Sequence, residues 1–380
     1  MKKYAGFRGF ASATATAAAS ALFLMVLFCG CDKPEPLKIG FSGCLTGRLS
    51  DLGTAGRNGA LLAVEQANKA GGIQGRPVEL IVKDDKHDPK TAVAVDRELM
   101  DQGVVAIIGH MTSSMTLAAL PLINRERMVM VGPTVSSNGL SGMDDYFLRV
   151  IGSNTARVNL MADHIATRTD VKTVACLYDL GNRSFSHPWF TSFKESFEKH
   201  PGCRVVPVTF TSTQDVAYGD LVDEILEANA QGLLLVAGAL HTAMVCHQLR
   251  KKGSKMPVFS SGWAQTKQLL LQGGRAVEGM IFFHYFDQDN QKNNYLGFRD
   301  DYVDTYGEEP GFAAMCGYDA ASLLIRALRM DVNPGNLKKT ILDHRVVQGL
   351  QGDFELDAHG DAKRNYYRII IKDGRFVTLE

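Results

Sequence analysis

Short apolar runs alternate with segments of helical spacing along the first part of the chain. The runs carry few charges, as strands buried in a parallel sheet do, and they lie at 37–42, 78–83, 104–108 and 128–131. In the segment 56–70, apolar residues recur three and four positions apart, which predicts a helix. Asp88 and Pro89 form a cap and first-turn pair for a second helix that runs to Met100. The order β-α-β-α-β-α-β predicts a parallel sheet covered by helices on both faces.

The same alternation restarts after Arg149. Strands are predicted at 171–178, 203–210, 233–236 and 258–260. Helices are predicted between them at 189–200, 218–229 and 242–252. After Gly279 the order is less regular, with predicted helices at 295–306 and 320–330 and predicted strands at 352–355 and 366–371. The fold class is therefore α/β, with two consecutive sheets and no long linker between them.

Length and composition agree with two globular domains. The chain has 380 residues, more than one small domain usually contains. Hydrophobic residues make up 45% and charged residues 22%, which excludes a disordered chain and a polytopic membrane protein. Lys plus Arg and Asp plus Glu both number 41, so the chain lacks the overall positive field that holds nucleic acid. We expect no nucleic-acid partner.

The N-terminus has the features of an export signal. Lys2, Lys3 and Arg8 precede a stretch of small residues and an apolar run at 21–28. The run is shorter than the ~20 residues that a membrane-spanning helix needs. The alternative is a buried N-terminal helix, but the residues that follow favour a signal peptide over 1–30.

Those residues resemble a bacterial lipobox, in which an apolar run and a small residue precede a lipid-carrying cysteine. Cys31 is the candidate for lipidation, and Cys29 is the weaker one because bulky Phe28 precedes it. Residues 31–36 then form a lipid-anchored tether. Asp32 resembles the signal that keeps some lipoproteins at the inner membrane. We expect an exported protein that is anchored at the periplasmic face of that membrane.

Motifs for common enzyme chemistry are absent from the sequence. There is no Walker A, HExxH, G-x-S-x-G or G-x-G-x-x-G motif, and the ten histidines are scattered. Asp84 and Asp85 are either metal ligands or a charged strand end, and the second interpretation is favoured. The sequence therefore predicts no enzyme, no metal site and no cofactor.

The five cysteines that follow Cys31 show no clear pattern of disulfide pairing. Because their number is odd, at least one is a free thiol or forms an intermolecular disulfide. Cys176 and Cys203 lie on sequential predicted strands and are a candidate pair. The five are Cys44, Cys176, Cys203, Cys246 and Cys316.

Two polar loops follow neighbouring strands of the first predicted sheet. The loop 109–114 ends one strand and opens a helix, and the loop 132–137 ends the next strand. Ligands of open α/β sheets bind at the carboxyl ends of the strands. A helix N-terminus with free N–H groups and hydroxyls suits a carboxylate. The alternative is that Ser113 or Ser114 only caps its helix.

Several motifs of the chain are specific to one family. They are Leu45-Thr46-Gly47 with Gly53, Glu65 to Asn68 leading to Gly71 to Gly75, Asp84-Asp85 with Asp88-Pro89, the Ser113-Ser114 loop, and Gly317 to Ala320. From about Leu37 to its end, the chain resembles the periplasmic substrate-binding proteins of branched-chain amino-acid ATP-binding-cassette (ABC) importers. The resemblance implies the type I periplasmic binding protein fold, with two Rossmann-like parallel-sheet lobes joined by a three-strand hinge.

The resemblance also implies where the lobes and the ligand lie. The N-terminal lobe comprises 37–150 plus 284–351, and the C-terminal lobe comprises 151–283 plus 352–380. Ser113, with Ser114 beside it, would hold a ligand carboxylate, and Thr134 and Ser136 would supply a carbonyl and a hydroxyl. The apolar walls would come from Leu52, Phe185, Leu240 and Trp263.

The sequence departs from the family's amino-acid binders at three places. Leu240 stands near a position where those binders have Tyr, and Gly262 stands near the Glu that pairs with the ligand ammonium. His87 and Thr112 replace a disulfide near the first-lobe cleft. Three alternatives stay open for the ammonium: an acid such as Asp179 or Asp319, the Thr134 carbonyl with the Trp263 ring, or a ligand without an ammonium.

We expect a monomeric binding protein that delivers a small hydrophobic amino acid to an ABC importer permease. Leucine, isoleucine and valine are the first ligand candidates. Two alternatives are a carrier of a non-amino organic or aromatic acid, and a sensor on the same fold that signals to a receptor. An exported hydrolase is disfavoured because no nucleophile or metal motif is present.

Overall fold

A computed structural model describes residues 1–3 and 34–379. The apolar run of the predicted signal peptide and the predicted lipid attachment at Cys31 lie outside the described residues. Every contact reported below lies within the unit that starts at Pro36. In the part of the chain that the structure describes, no helix is long and apolar enough to cross a membrane.

A five-stranded parallel sheet organises what we call the first lobe. Its strands are β1 (Leu37–Gly43), β2 (Val78–Asp84), β3 (Ile107–Ile108), β4 (Met130–Gly132) and β5 (Phe147–Arg149). They are ordered β2-β1-β3-β4-β5. The connecting helices are α1 (Ser50–Lys69), α2 (Pro89–Asp101) and α3 (Ser113–Glu126). The predicted alternation is confirmed here, and Asp88 caps α2 by accepting from the Thr91 N–H. The short strand β5 was not predicted.

The second lobe is built in the same way. Its parallel strands are β6 (Thr173–Asp179), β7 (Arg204–Phe210), β8 (Gly232–Val236), β9 (Val258–Ser260) and β10 (Ile281–His284). Its helices are α4 (Thr155–Arg168), α5 (Arg183–Phe197), α6 (Tyr218–Glu227), α7 (Ala239–Lys251) and α8 (Lys267–Gly273). The sequence reading missed α4, although Val158, Met161, Ala162 and Ile165 have helical spacing and all are buried.

The chain returns to the first lobe after β10 and then crosses again. It forms α9 (Asn293–Tyr306), α10 (Phe312–Met330) and α11 (Leu337–Asp343). A small antiparallel sheet follows, with β11 (Val346–Val347), β12 (Phe354–Leu356) and β13 (Ala362–Lys363). The last strands, β14 (Tyr367–Lys372) and β15 (Arg375–Leu379), extend the second sheet in the order β15-β14-β10-β9-β8-β6-β7. Both run antiparallel to their neighbours, so the second sheet is mixed.

The predicted pairing of Cys176 with Cys203 is wrong, because both thiols are free. In the register of β6 with β7, Thr173 lies opposite Arg204 and Cys176 lies opposite Pro207. Cys203 is therefore displaced from Cys176 by about four residues, or ~13 Å along the strand. A disulfide requires Cα atoms within ~7 Å.

Two helices that flank the first sheet approach each other through glycines. A methyl group on Gly59 of α1 would lie 1.9 Å from the carbonyl oxygen of Ala314, and one on Gly317 of α10 would lie 2.0 Å from that of Gly56. The backbones are thus too close for any side chain at these positions. The Gly317 motif therefore serves the packing of α10 on α1.

The substitution Gly317→Ala tests this packing. We expect a loss of about 1–3 kcal/mol in the free energy of unfolding, because the added methyl forces the helices apart. Gly297→Ala is the matched control, since Gly297 is exposed on α9 with no atom near its added methyl. It should be neutral or stabilising by about 1 kcal/mol. Urea unfolding measures the stability of both variants, and equal free energies of unfolding would contradict the close packing of α10 on α1.

Candidate functional site

A cavity lies between the loops of the two sheets. Six residues predicted from the sequence line it: Leu52, Ser113, Thr134, Ser136, Phe185 and Trp263. Eight further residues complete the lining: Met111, Thr112, Arg157, Asn182, Gly262, His284, Tyr285 and Phe312. The cavity lies at the carboxyl ends of parallel strands in both lobes, as expected for open α/β sheets.

Two residues predicted to bind ligand lie outside the cavity lining. The backbone N–H of Ser114 donates to Asn182 Oδ1 at 3.2 Å, and its hydroxyl accepts from the N–H of Ser184 at 3.3 Å. Ser114 therefore joins the first lobe to the second. Leu240 is half-buried in the first turn of α7. The apolar wall of the second lobe comes instead from Trp263, which packs edge-on against Phe185 with ring centroids 5.5 Å apart.

Neither Ser113 nor Ser114 caps α3, so the capping alternative is wrong. The N-cap is Thr112, whose side chain makes no capping hydrogen bond. Ser113 is instead the first helical residue and borders the cavity. The hydroxyl of Thr134 donates to the carbonyl of Met111 at 2.6 Å, which ties the two polar loops together.

A buried charge cluster lies beneath the loop that carries Ser113. His110 contacts Asp85 through Nδ1 at 2.8 Å and Asp96 through Nε2 at 3.1 Å, and all three side chains are buried. Burial disfavours the charged ring, but the two carboxylates outweigh it and raise the pKa of His110 to about 10. Asp84 and Asp85 thus lie at the end of β2, as the favoured interpretation had it, and Asp85 is buried against His110. Among the residues that the structure describes, no acidic, His or Cys cluster could hold a metal.

The residues at the position of the family's disulfide are neighbours here. The Oγ1 atom of Thr112 lies 3.4 Å from His87 Nδ1. His87 also reaches the second lobe, where its Nε2 lies 3.2 Å from the carbonyl oxygen of Gly181. The pair thus joins the cleft wall to the opposite lobe by hydrogen bonds.

Arg157 is a buried, cavity-lining residue that the sequence did not predict. It lies on the unpredicted helix α4, is 4% exposed and borders the cavity. Its guanidinium donates to Ser136 Oγ at 2.8 Å and to Asn154 Oδ1 at 2.6 Å, and both acceptors are neutral. The Nε–H has no partner. The amphipathic spacing of α4 was the signal that could have located the helix that carries Arg157.

The ring of Tyr285 covers one face of that guanidinium, at 5.6 Å from its central carbon. No carboxylate within the described residues forms an ion pair with Arg157. A buried, unpaired cation is costly, which makes an anion the natural complement of this site.

The two acids considered for a ligand ammonium lie outside the cavity lining. One carboxylate oxygen of Asp179 accepts from the N–H groups of Gly181 and Ser212. Asp319 pairs with Arg364 and accepts from the N–H of Leu350. Neither residue lines the cavity, and no Asp or Glu does. The alternative that assigned one of these acids to an ammonium is wrong for this structure.

The side chain of His284 fills the space beside Gly262. A Cβ atom at Gly262 would lie 2.0 Å from His284 Cδ2, so no side chain fits there. The ring is fully buried, and its Nδ1 has no hydrogen-bond partner. Burial and the nearby Arg157 cation hold the pKa of His284 well below its usual range. The ring is therefore neutral at physiological pH.

Two α/β sheets with a cavity between their loops, at the carboxyl ends of the strands, have the architecture of a two-lobed binding protein. The chain belongs to the periplasmic binding protein family, whose model matches residues 36–375. A leucine-, isoleucine-, valine-, threonine- and alanine-binding protein of Pseudomonas aeruginosa is 26% identical over 340 residues, which cover 87% of this chain and 88% of that protein.

Solved structures confirm the type I periplasmic binding protein fold. A leucine-binding protein from Thermotoga maritima superposes with a TM-score of 0.83 at 23% identity, covering 90% of this chain and 98% of the other. A solute-binding protein of an ABC transporter from R. palustris, solved with benzoate, has a TM-score of 0.82 at 19% identity. The match covers 90% of this chain and 95% of that protein. The predicted fold class and family are confirmed.

The buried His110 cluster makes stability depend on pH. Below pH ~6.5 histidine is protonated in both the folded and the unfolded chain, so the ion pairs of His110 contribute fully to the free energy of unfolding. As the pH rises through about 10, the folded state also loses the proton and this contribution disappears. The free energy of unfolding should therefore fall more steeply between these values in the wild type than in His110→Gln. His344→Gln, at an exposed histidine, is the control. Parallel curves for His110→Gln and wild type would rule out the effect.

Proposed function

We propose that this protein captures a small apolar carboxylate outside the cytoplasm and passes it to the permease of an ABC importer. It acts by binding, without enzymatic chemistry, metal or cofactor. The observation that carries the proposal is the buried Arg157 guanidinium, which borders the cavity and has only neutral partners. A ligand carboxylate supplies the missing negative charge.

The remaining lining residues complement the other parts of such a ligand. Ser136 places its hydroxyl beside the Arg157 guanidinium, and Ser113 also lines the cavity. Leu52, Phe185 and Trp263 form the apolar part and suit a branched or aromatic tail. Burying such a side chain contributes about 1.5–3 kcal/mol, which is enough to discriminate against a shorter chain.

Two ligand classes have support, and the cavity chemistry favours one of them. The names of several relatives and structural neighbours support a hydrophobic amino acid such as leucine, isoleucine or valine. The benzoate complex of a structural neighbour supports a non-amino acid. An ammonium in this cavity would meet a cation and no carboxylate. We therefore propose a carboxylate without an ammonium as the preferred ligand, and a hydrophobic amino acid as the second candidate.

Contacts across the cleft support closure of the two lobes around the ligand. Arg48 of the first lobe donates to the carbonyls of Ser212 and Gln214 and pairs with Asp215 in the second lobe. The hydroxyl of Thr266 likewise donates to Asp51 at 2.8 Å. We propose a monomer whose lobes, 37–150 plus 284–351 and 151–283 plus 352–380, hinge about the three crossovers.

The substitution Arg157→Gln tests the carboxylate site. We expect binding of 4-methylpentanoate to weaken about 10- to 100-fold, because a hydrogen bond to a charged group is worth about 1.5–3 kcal/mol. Arg168→Gln, on the exposed side of the same helix, is the matched control and should bind as the wild type does. Calorimetry measures both variants.

The same titrations compare 4-methylpentanoate with leucine in the wild type. We expect the des-amino acid to bind more tightly, because it brings no second cation to Arg157. Tighter binding of leucine would favour the second candidate. Unchanged affinity in Arg157→Gln for every carboxylate would refute the site assignment itself.

We also propose that Cys31 carries a lipid that anchors the exported protein at the inner membrane. The lipobox-like sequence supports this assignment, and membership of the periplasmic binding protein family supports export. Cells labelled with a clickable fatty acid should incorporate the label into the wild type and into Cys29→Ser, but not into Cys31→Ser. If Cys29→Ser alone lost the label, the lipid would be assigned to Cys29 instead of Cys31.

A further inference from the structure

His284 is a buried polar group that the carboxylate site does not use. It ends β10, borders the cavity and is 1% exposed. Aromatic rings enclose it, with the centroids of Tyr285 and Phe312 at 4.1 and 4.8 Å. Its Nδ1 finds no protein partner. A buried donor or acceptor without a partner is costly, so a ligand atom is its natural complement.

The ring stays uncharged in this setting. The charged group that acts on it is the Arg157 guanidinium, which disfavours a second positive charge, and no carboxylate lines the cavity. A neutral imidazole offers one N–H donor and one acceptor. It can therefore hydrogen-bond an uncharged oxygen, but it supplies no negative charge for an ammonium.

His284 and Arg157 lie at the same end of the cavity. Tyr285 connects them, because its ring contacts the guanidinium at 5.6 Å and lies against the neighbouring His284 ring. A carboxylate on Arg157 thus brings the adjacent carbon of the ligand towards the imidazole. The imidazole also occupies the space beside Gly262, which a side chain at position 262 would otherwise fill.

We propose that His284 donates a hydrogen bond to an uncharged oxygen on the carbon next to the ligand carboxylate. The ligand class is then a 2-oxo or 2-hydroxy carboxylic acid with an apolar tail. This inference rests on the proposed function, since it presumes a carboxylate on Arg157. It adds a determinant of specificity that is distinct from the carboxylate site.

Matched pairs of acids test the inference by calorimetry on the purified protein. The first set comprises 4-methyl-2-oxopentanoate, 2-hydroxy-4-methylpentanoate and 4-methylpentanoate, and the second comprises phenylpyruvate and 3-phenylpropanoate. We expect the oxygenated acid of at least one set to bind about 10-fold more tightly than its unsubstituted partner, since an unmatched buried donor costs about that much affinity. The oxo and hydroxy acids together show which oxygen the site prefers.

Two variants assign the effect to His284. His284→Phe keeps a ring and removes the donor, so it should erase the preference for the oxygenated acid while retaining binding of the unsubstituted acid. His284→Gln keeps an N–H donor and should retain part of the preference. Arg157→Gln should weaken both members of a pair by the same factor.

The outcomes separate the inference from the function on which it rests. Equal wild-type affinities within both sets, or a preference that persists in His284→Phe, would overturn the role of His284 and leave the carboxylate site intact. Failure of every acid to bind would overturn the proposed function. If His284→Phe does not fold, the wild type and His284→Gln still decide the question. Equal wild-type affinities within both sets, or a preference in His284→Gln as large as in the wild type, would contradict the inference.

Discussion

The buried guanidinium of Arg157 is the constraint on which the chemistry of the cleft depends. It donates to Ser136 and Asn154, neither of which carries a charge, and the ring of Tyr285 covers one of its faces. Cation–π contact and neutral acceptors only partly replace the water that burial removes. The protein therefore presents positive charge to the cavity between its two sheets, which is the basis for the proposed anionic ligand.

Other buried groups hold the cleft in a shape that suits this charge. The ion pairs of His110 with Asp85 and Asp96 tie the loop that presents Ser113 to the end of β2 and to α2. On the opposite wall, Gly262 leaves room that the neutral ring of His284 occupies. The first lobe thus contributes hydroxyls and the apolar side chain of Leu52, while the second lobe contributes the Arg157 cation and the rings of Phe185 and Trp263.

Much of the fold follows from local pattern, whereas the central charge does not. The apolar runs predicted both sheets because buried parallel strands exclude charged residues, and the loops after β3 and β4 revealed Ser113, Thr134 and Ser136. Arg157 was not predicted as a site residue because α4 was not recognised, and because a lone Arg on a helix is ordinarily a surface residue. Its burial arises from tertiary packing, which no local pattern encodes. The position of Leu240 outside the cavity has the same origin.

Native mass spectrometry of the protein purified without denaturation, with identification of the released small molecule, tests the central claim most directly. The account predicts a retained carboxylic acid that has an apolar tail and no basic nitrogen, and predicts its loss from Arg157→Gln. Recovery of an amino acid, or of any ligand without an acidic group, would contradict the claim that an unpaired buried guanidinium selects the ligand.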